Sequence, residues 1–422
     1  MHLINYLEKF HINIDFNEFM SIYTNLTDYV ERVNYIRSKI YEAKSSIASS
    51  LIYKHNTEEM SNILQISYKR GSNKSFQLFN GHLINLDTLQ IVCSPLRKMI
   101  NINNNTNLSS DNKLASIKIS SNYYYLIPAI DGTTIYLSHY ESDNNSNIRG
   151  LIDNKWLIST VRTINAGILS FTSDKAMGVL VNELFHKYRI NTNLLDVNFT
   201  YTFIVQDAEW NPAYTGESCI HYICKAKNNS DTIIYDYTYD KIFKPLIKPL
   251  KTIDIIRKTD NGQTNNHTLK SLLTYCNSRD INHFGIYVIS KSPEFNQKDY
   301  HINTKRAEIL KTWIYTPMFV FKSNKQLAIN MYITNTNSDD LVSIGQIIPL
   351  YQEYLDKIHD IYIAVKNFII NGKISDDADI NELSQKIKNE IPKDIVGNTL
   401  LMTLRSSQPL FQLFCGLVMN KL

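Results

Sequence analysis

The sequence has 422 residues, of which 43% are hydrophobic and 20% are charged, a composition typical of globular proteins and unlike that of disordered chains. This length predicts two or three packed units rather than one small core. The formal net charge of +4 permits nucleic-acid binding but is modest for a dedicated nucleic-acid-binding protein.

The predicted elements define an α+β fold with three parts. Residues 1–63 are predicted as a helical N-terminal segment, because apolar residues recur at three- and four-residue spacing between Ile22 and Ile36. Residues 64–325 alternate between short strands, such as 123–127, 133–139, 200–205 and 285–290, and a helix over 174–189. Residues 326–422 are predicted as an all-helical C-terminal domain. We therefore expect a core of antiparallel sheets between helical segments.

The cysteines and the apolar runs indicate the compartment. Five scattered cysteines without a Cys-x-x-Cys pair are typical of reduced thiols in a cytoplasmic protein. Cys219 and Cys224, with His221 between them, offer three ligands where structural zinc uses four, so we expect no metal. Neither a signal peptide nor an apolar run of about 20 residues is present, and we expect no membrane association. Scarce glycine and proline, with abundant Asn, Ile and Lys, indicate an AT-rich coding sequence such as that of a parasite, a virus or a cytoplasmic plasmid.

Several short motifs follow one another along the middle of the chain. An apolar strand over 123–128 leads into Ala129-Ile130-Asp131-Gly132-Thr133. Upstream of it, the segment 94–101 contains Lys98. Downstream, a strand ends at Gln206, and Phe284-Gly285 opens a β-branched strand that precedes His301 and Asn303. Taken alone, Asp131-Gly132 is equally a common β-turn pair.

In order and spacing, these motifs resemble the adenylyltransferase domain of RNA ligases of the phage and fungal tRNA-ligase type, over residues 64–315. The resemblance implies a nucleotidyltransferase (ATP-grasp-like ligase) fold. It assigns a vestigial nucleotide pocket to Lys98, Asp131, Gly132, Thr133 and Gly285. It also implies degenerate catalytic positions, which are Ala129, Gln206, Phe284, His301 and Asn303.

The residues at these degenerate positions cannot perform the family's chemistry. Ala129 stands where the ligases carry the lysine that forms lysyl-AMP, and its methyl group is no nucleophile. Gln206 and Phe284 replace carboxylates, although Glu209 is an alternative match for the first of them. His301 and Asn303 replace two lysines that neutralise the phosphates of ATP. We expect a pseudoenzyme with no cofactor.

A basic stretch is the candidate RNA-binding segment. Its cations are Lys241, Lys244, Lys248, Lys251, Arg257 and Lys258. They are interpreted as phosphate contacts, or alternatively as the solvated edge of a strand. Pro245 and Pro249 exclude a regular helix there.

The leading hypothesis is a catalytically inactive RNA-ligase-like protein that binds RNA, with tRNA as the expected ligand and no DNA expected. Such a protein would give immunity against a tRNA-cleaving ribonuclease toxin, as an immunity protein of a yeast cytoplasmic killer plasmid does. One alternative is an active, divergent ATP- and Mg-dependent RNA ligase that uses a lysine from elsewhere, such as Lys98 or Lys155. The other is a toxin-neutralising protein-binding module that ignores RNA.

Overall fold

The computed structural model divides the chain into two compact units. The first comprises Met1–Ser278 with Phe284–Asn303, and the second comprises Arg279–His283 with Thr304–Leu422. The residues described are 2–8, 11–55, 60–68, 79–96, 99–102, 117–119, 123–141, 148–170, 175–208, 211, 213–228, 234–236, 241–243, 267–277, 284–291, 299–315, 323–334, 338–391 and 399–422. The first unit thus ends ahead of the boundary expected after residue 325.

Four amino-terminal helices pack on an antiparallel first sheet of order β1-β2-β3-β4. The helices are Leu3–Glu8 (α1), Phe16–Tyr23 (α2), Tyr29–Ala43 (α3) and Ser45–Ala48 (α4), and the strands are Leu51–His55 (β1), Ile63–Tyr68 (β2), His82–Asn85 (β3) and Ile91–Cys93 (β4). The carboxylates of Asp15 and Asp28 cap α2 and α3 by accepting backbone N–H groups of the first turn. The helices end at Ala48, within the segment 1–63 that was expected to be helical. The reason is that β1 pairs with β2 along its whole length, and such pairing overrides local propensity.

Two further sheets complete the first unit. Their strands, with a small two-stranded ribbon of β6 and β13, are Ile100–Ile102 (β5), Lys118–Ile119 (β6), Tyr124–Ala129 (β7), Thr133–His139 (β8), Trp156–Ser159 (β9), Phe199–Gln206 (β10), Cys219–Lys227 (β11), Ile234–Asp236 (β12), His267–Thr268 (β13), Gly285–Ser290 (β14) and Tyr300–Asn303 (β15). The second sheet has the order β12-β11-β10-β8-β9 and the third β5-β15-β14-β7. Because β5 runs parallel to β15, the third sheet is mixed and not wholly antiparallel as expected.

One helix packs on one face of each of these two sheets. Helix Met177–Lys187 (α5) packs on the second sheet, where the rings of Phe185 and Phe203 lie 5.7 Å apart. Helix Leu269–Asn277 (α6) covers the third sheet through Leu269 and Leu272, which pack in one core with residues of β14 and β15. Because side chains point alternately to the two faces of a sheet, each sheet has a second set of side chains on the face that its helix does not cover.

The other face of the second sheet packs in a core that it shares with the first sheet, which contributes Leu83 and Cys93, and the third sheet contacts this core. Ile204 and Ile223 of the second sheet belong to this core, and Tyr287 of the third sheet packs against it together with Ile130. These are the inner faces of the two sheets. Any ligand site between them lies within the first unit.

The described residues of the second unit from Lys305 onward are mostly helical. Its helices are Lys305–Ile309 (α7), a π-helix at Leu310–Tyr315, Asn324–Thr334 (α8), Ser338–Ile347 (α9), Pro349–Asn371 (α10), Ala378–Glu390 (α11), Thr399–Ser406 (α12) and Gln408–Lys421 (α13). Pro349 opens the longest helix, and Gly372 ends it with a φ of 66°, in the left-handed conformation that favours glycine. The unit starts earlier than expected because α7 packs with α9. Among the helices within the described ranges, none is both long and apolar enough to span a bilayer.

Candidate functional site

Ala129 and Asn303, two of the positions expected to be degenerate, form one row across the third sheet with Gly285, which was assigned to the vestigial pocket. Gly285 of β14 pairs with Ala129 on one side and with Asn303 on the other. Residues that are directly paired in a sheet point to the same face, so all three belong to the inner face. Two residues further along β14, Tyr287 pairs with His301 on that same face. Strand register thus brings together positions that lie far apart in the sequence.

The turn from β7 to β8 carries Asp131 and Gly132 to the end of this row. A side chain at Gly132 would place its Cβ 2.4 Å from Cγ2 of Ile204 and 2.7 Å from the backbone oxygen of Val205, so only glycine fits without movement. Thr133 follows and pairs with Val205. The backbone of β10 therefore holds the turn closely, and Asp131 itself is buried.

The side chain of Asp131 lies near Tyr287 of the third sheet. Burial raises the pKa of the Tyr287 phenol, and the negative charge of Asp131 raises it further. The row and the turn therefore form one site between the inner faces.

Gln206 connects this turn to the neighbouring strand. Its Nε2 donates a hydrogen bond of 2.6 Å to the backbone oxygen of Asp131, and its Oε1 lies 2.8 Å from Nε2 of His221. A backbone carbonyl only accepts hydrogen bonds, so the NH2 group of the Gln206 side chain must face Asp131. Its Oε1 must then face His221. His221 consequently carries its proton on Nε2. Burial lowers the pKa of His221, which keeps the ring neutral at pH 7.

Two buried side chains, His301 and Asn303, stand at the positions that the resemblance matches to the paired lysines. The ring of buried His301 lies 4.6 Å from that of Tyr287 and 6.0 Å from that of Phe284. Asn303 is 2% exposed, and its Nδ2 lies 3.4 Å from the backbone oxygen of His301. Burial of an ammonium group at either position would carry a large desolvation cost.

Of the two lysines considered as substitute nucleophiles, Lys155 lies far from the Asp131–Gly132 turn. Lys155 precedes Trp156, which pairs with His139 at the end of β8 remote from the turn. At ~3.3 Å per residue, β8 separates Lys155 from Thr133 by about 20 Å. The Nζ of Lys155 donates a hydrogen bond of 2.7 Å to Asn193. Lys98 and Glu209 lie outside the described residues.

Only the first residue of the basic stretch belongs to the described part of the chain. The backbone of Lys241 begins a short 3-10 turn over Lys241–Phe243, and the ring of Phe243 stacks 4.6 Å from that of Tyr222. This contact anchors the start of the stretch on the outer face of the second sheet. The other five cations, Lys244, Lys248, Lys251, Arg257 and Lys258, lie outside the described residues.

The hydrogen-bonded contacts of Gln206 could not be read from the sequence. They depend on the register of β10 with β11, which pairs Gln206 with Cys219 and Ile204 with His221. The strand patterns predict both strands but not their alignment. In the described ranges, no three His, Cys, Asp or Glu side chains come together as a metal-binding group.

Comparison with known proteins gives matches among solved structures only. No protein-family model and no curated protein sequence matches the chain. A putative ATP-dependent DNA ligase from Aquifex aeolicus aligns with a TM-score of 0.35 and 11% identity, over 83% of this chain and 88% of that chain. An archaeal ATP-dependent RNA ligase aligns with a TM-score of 0.37 and 9% identity, over 83% of this chain and 82% of that chain.

Proposed function

We propose that this protein is a catalytically inactive, ligase-like nucleotidyltransferase that binds RNA, with tRNA as its ligand. The observation that supports the proposal most is the row of Ala129, Gly285 and Asn303 beside the Asp131–Gly132 turn. The motif order of the ligases assigned these positions, and their adjacency in the third sheet supports the assignment.

The residues around this site favour binding over catalysis. Ala129 offers no amine that could attack the α-phosphate of ATP. The neutral amide of Gln206 hydrogen-bonds to the backbone oxygen of Asp131 and to His221. A carboxylate would be needed at this position to bind a metal ion. The buried ring of His301 contacts those of Tyr287 and Phe284, and a lysine ammonium there would carry a large desolvation cost.

Incubation with labelled ATP and Mg²⁺, followed by denaturing electrophoresis, tests the loss of catalysis. We expect no covalent adenylyl adduct on the protein, with an active RNA ligase as the positive control. A labelled band that is sensitive to acid would establish the active-ligase alternative instead.

A gel-shift titration with tRNA tests the binding. Cationic contacts release counterions from the phosphates, so affinity should fall as salt rises, by roughly one unit of log–log slope for each contact. Lys248→Gln and Lys251→Gln should each lower that slope by about one. The matched control is Lys357→Gln on α10, whose Nζ already pairs with Glu353 at 2.9 Å. Equal slopes for all three variants would remove the basic stretch from the interface.

The biological role that we propose is immunity against a tRNA-cleaving ribonuclease toxin. The AT-rich composition and the resemblance to tRNA-end-processing ligases support this role. Cleavage of tRNA by such a nuclease should slow when the protein is present in molar excess over the tRNA. A toxin that stays bound to the protein after the RNA has been digested would favour direct neutralisation of the toxin.

A further inference from the structure

Polar side chains lie on the face of the first sheet that is turned to the second sheet. Gln65 pairs with Leu83, and Leu83 pairs with Cys93, so the three residues point to the same face. Leu83 and Cys93 pack in one core with Tyr136 and Ile204 of the second sheet. The side chain of Gln65 is therefore directed towards the second sheet and not towards solvent.

The second sheet presents hydroxyl groups to the same core. Tyr136 pairs with Thr202 on one side and with Ser159 on the other, so all three point towards the first sheet. Thr200, two residues before Thr202, points the same way. The Oγ of Ser159 lies 3.5 Å from Sγ of Cys93. The two sheets thus touch through polar atoms as well as through apolar ones.

Two of the buried hydroxyls at this contact have no protein partner. The hydroxyl of Thr200 is satisfied, because it accepts the backbone N–H of Ser94 and donates to Oδ1 of Asn228, both at 3.0 Å. In contrast, no protein atom of the described ranges hydrogen-bonds to Oγ1 of Thr202 or to Oγ of Ser94. Both side chains are 0% exposed, so bulk solvent does not reach them either.

The first sheet adds two further groups of this kind. Nε2 of Gln65 donates a hydrogen bond of 2.8 Å to the backbone oxygen of Thr160, but its Oε1 has no partner within the described part of the chain. Ser67, two residues further along β2, is 2% exposed, and its Oγ has no partner there either. Buried polar groups without hydrogen bonds destabilise a fold, and bound water commonly supplies the missing bonds.

We propose that long-lived water molecules bind between the first and second sheets, in a polar seam lined by Gln65, Ser67, Ser94, Ser159 and Thr202. Hydroxyl groups both donate and accept, whereas Oε1 of Gln65 only accepts, so the ligand must also do both. Water meets this requirement. None of the five side chains carries a charge, so an ion in the seam would lack a compensating partner. The bound waters complete the hydrogen bonding between the two sheets.

Thr200 and Thr202 are a matched pair for the test, because both lie on β10, point to the same face and are 0% exposed. Valine keeps the shape of threonine and removes its hydroxyl. Thr200→Val breaks hydrogen bonds to protein groups, and the amides of β8 and β10 should exchange about 5- to 30-fold faster. Thr202→Val should accelerate exchange by at least about fivefold as well, because bound water loses a partner. Exchange that is unchanged or slower in Thr202→Val would show that the hydroxyl is dry and would overturn the proposal.

Oxygen-17 relaxation dispersion is a second measurement, because it detects water molecules that stay bound while the protein tumbles. The double variant Ser94→Ala/Thr202→Val should lower the amplitude of the dispersion. Ser384→Ala is the control, because buried Ser384 lies on α11 and its Oγ donates to the backbone oxygen of Ile380 at 2.6 Å. Equal amplitudes in the wild type and the double variant would also overturn the proposal. Circular dichroism verifies that each variant is folded, and neither measurement depends on the proposed function.

Discussion

Replacement of Gly132 by alanine should destabilise the first unit. The added Cβ would lie 2.4 Å from Cγ2 of Ile204 and 2.7 Å from the backbone oxygen of Val205. The side chain can move aside, but the oxygen belongs to β10, which is paired on both sides. Overpacking of this kind costs about 1–3 kcal/mol, and the lower entropy of the unfolded alanine variant returns about 0.4–1 kcal/mol. The net expectation is a loss of roughly 1–2 kcal/mol.

Native-state hydrogen exchange measures this loss in each unit separately. The amides of β8 and β10 should exchange faster in Gly132→Ala by about 5- to 30-fold, which corresponds to 1–2 kcal/mol. Gly416→Ala is the control, because its Cβ meets nothing within 4 Å in the exposed middle of α13. That change should stabilise α13 by up to about 1 kcal/mol. Unchanged exchange at β8 and β10 in Gly132→Ala would mean that the turn relaxes freely and that the close packing has been misjudged.

Three further predictions concern polar side chains that are buried or half-buried. Gln206→Leu removes the hydrogen bond to the oxygen of Asp131 and should lower the free energy of unfolding by about 1–3 kcal/mol in urea titrations; an unchanged midpoint would contradict this. Burial lowers the pKa of His82 to about 3, so the unfolded chain binds that proton first. The contribution of neutral His82 to the free energy of unfolding is therefore fully present above about pH 6.5 and is lost as the pH falls towards 3. His82→Gln should flatten the dependence of the urea midpoint on pH. Tyr287 has a raised pKa, so stability should fall above about pH 10, where the unfolded phenol ionises first, and Tyr287→Phe should reduce that alkaline loss.

Local patterns predicted the elements that carry strong periodicity. The β-branched run at Gly285–Ser290 forms β14 as expected, and the helix predicted over 174–189 is α5 at Met177–Lys187. The Asp131–Gly132 pair lies in a bend that joins β7 of the third sheet to β8 of the second sheet. These features depend on residues that are close in the sequence, so a short stretch of sequence is enough to predict them.

Long-range pairing was not predictable in the same way. The parallel alignment of Ile100 with Tyr300 joins short strands whose own sequences give no partner. The candidate site shows the same limit. The pairing of Gly285 with Ala129 and the contact of Gln206 with His221 both required the registers of their strands. Register is set by packing across the whole sheet, so a single strand does not reveal it.

The pairing of Ala129 with Gly285 also constrains how the protein can be made. Strand β7 leaves the ribosome long before β14, with which it pairs, and before β15, the next strand of the third sheet. Until those strands emerge, the nascent chain presents an unpaired apolar edge at Tyr124–Ala129. Non-local closure of this kind folds slowly. Products of premature termination before residue 285 should therefore aggregate or be captured by chaperones, and the site should appear only after nearly the whole first unit has been translated.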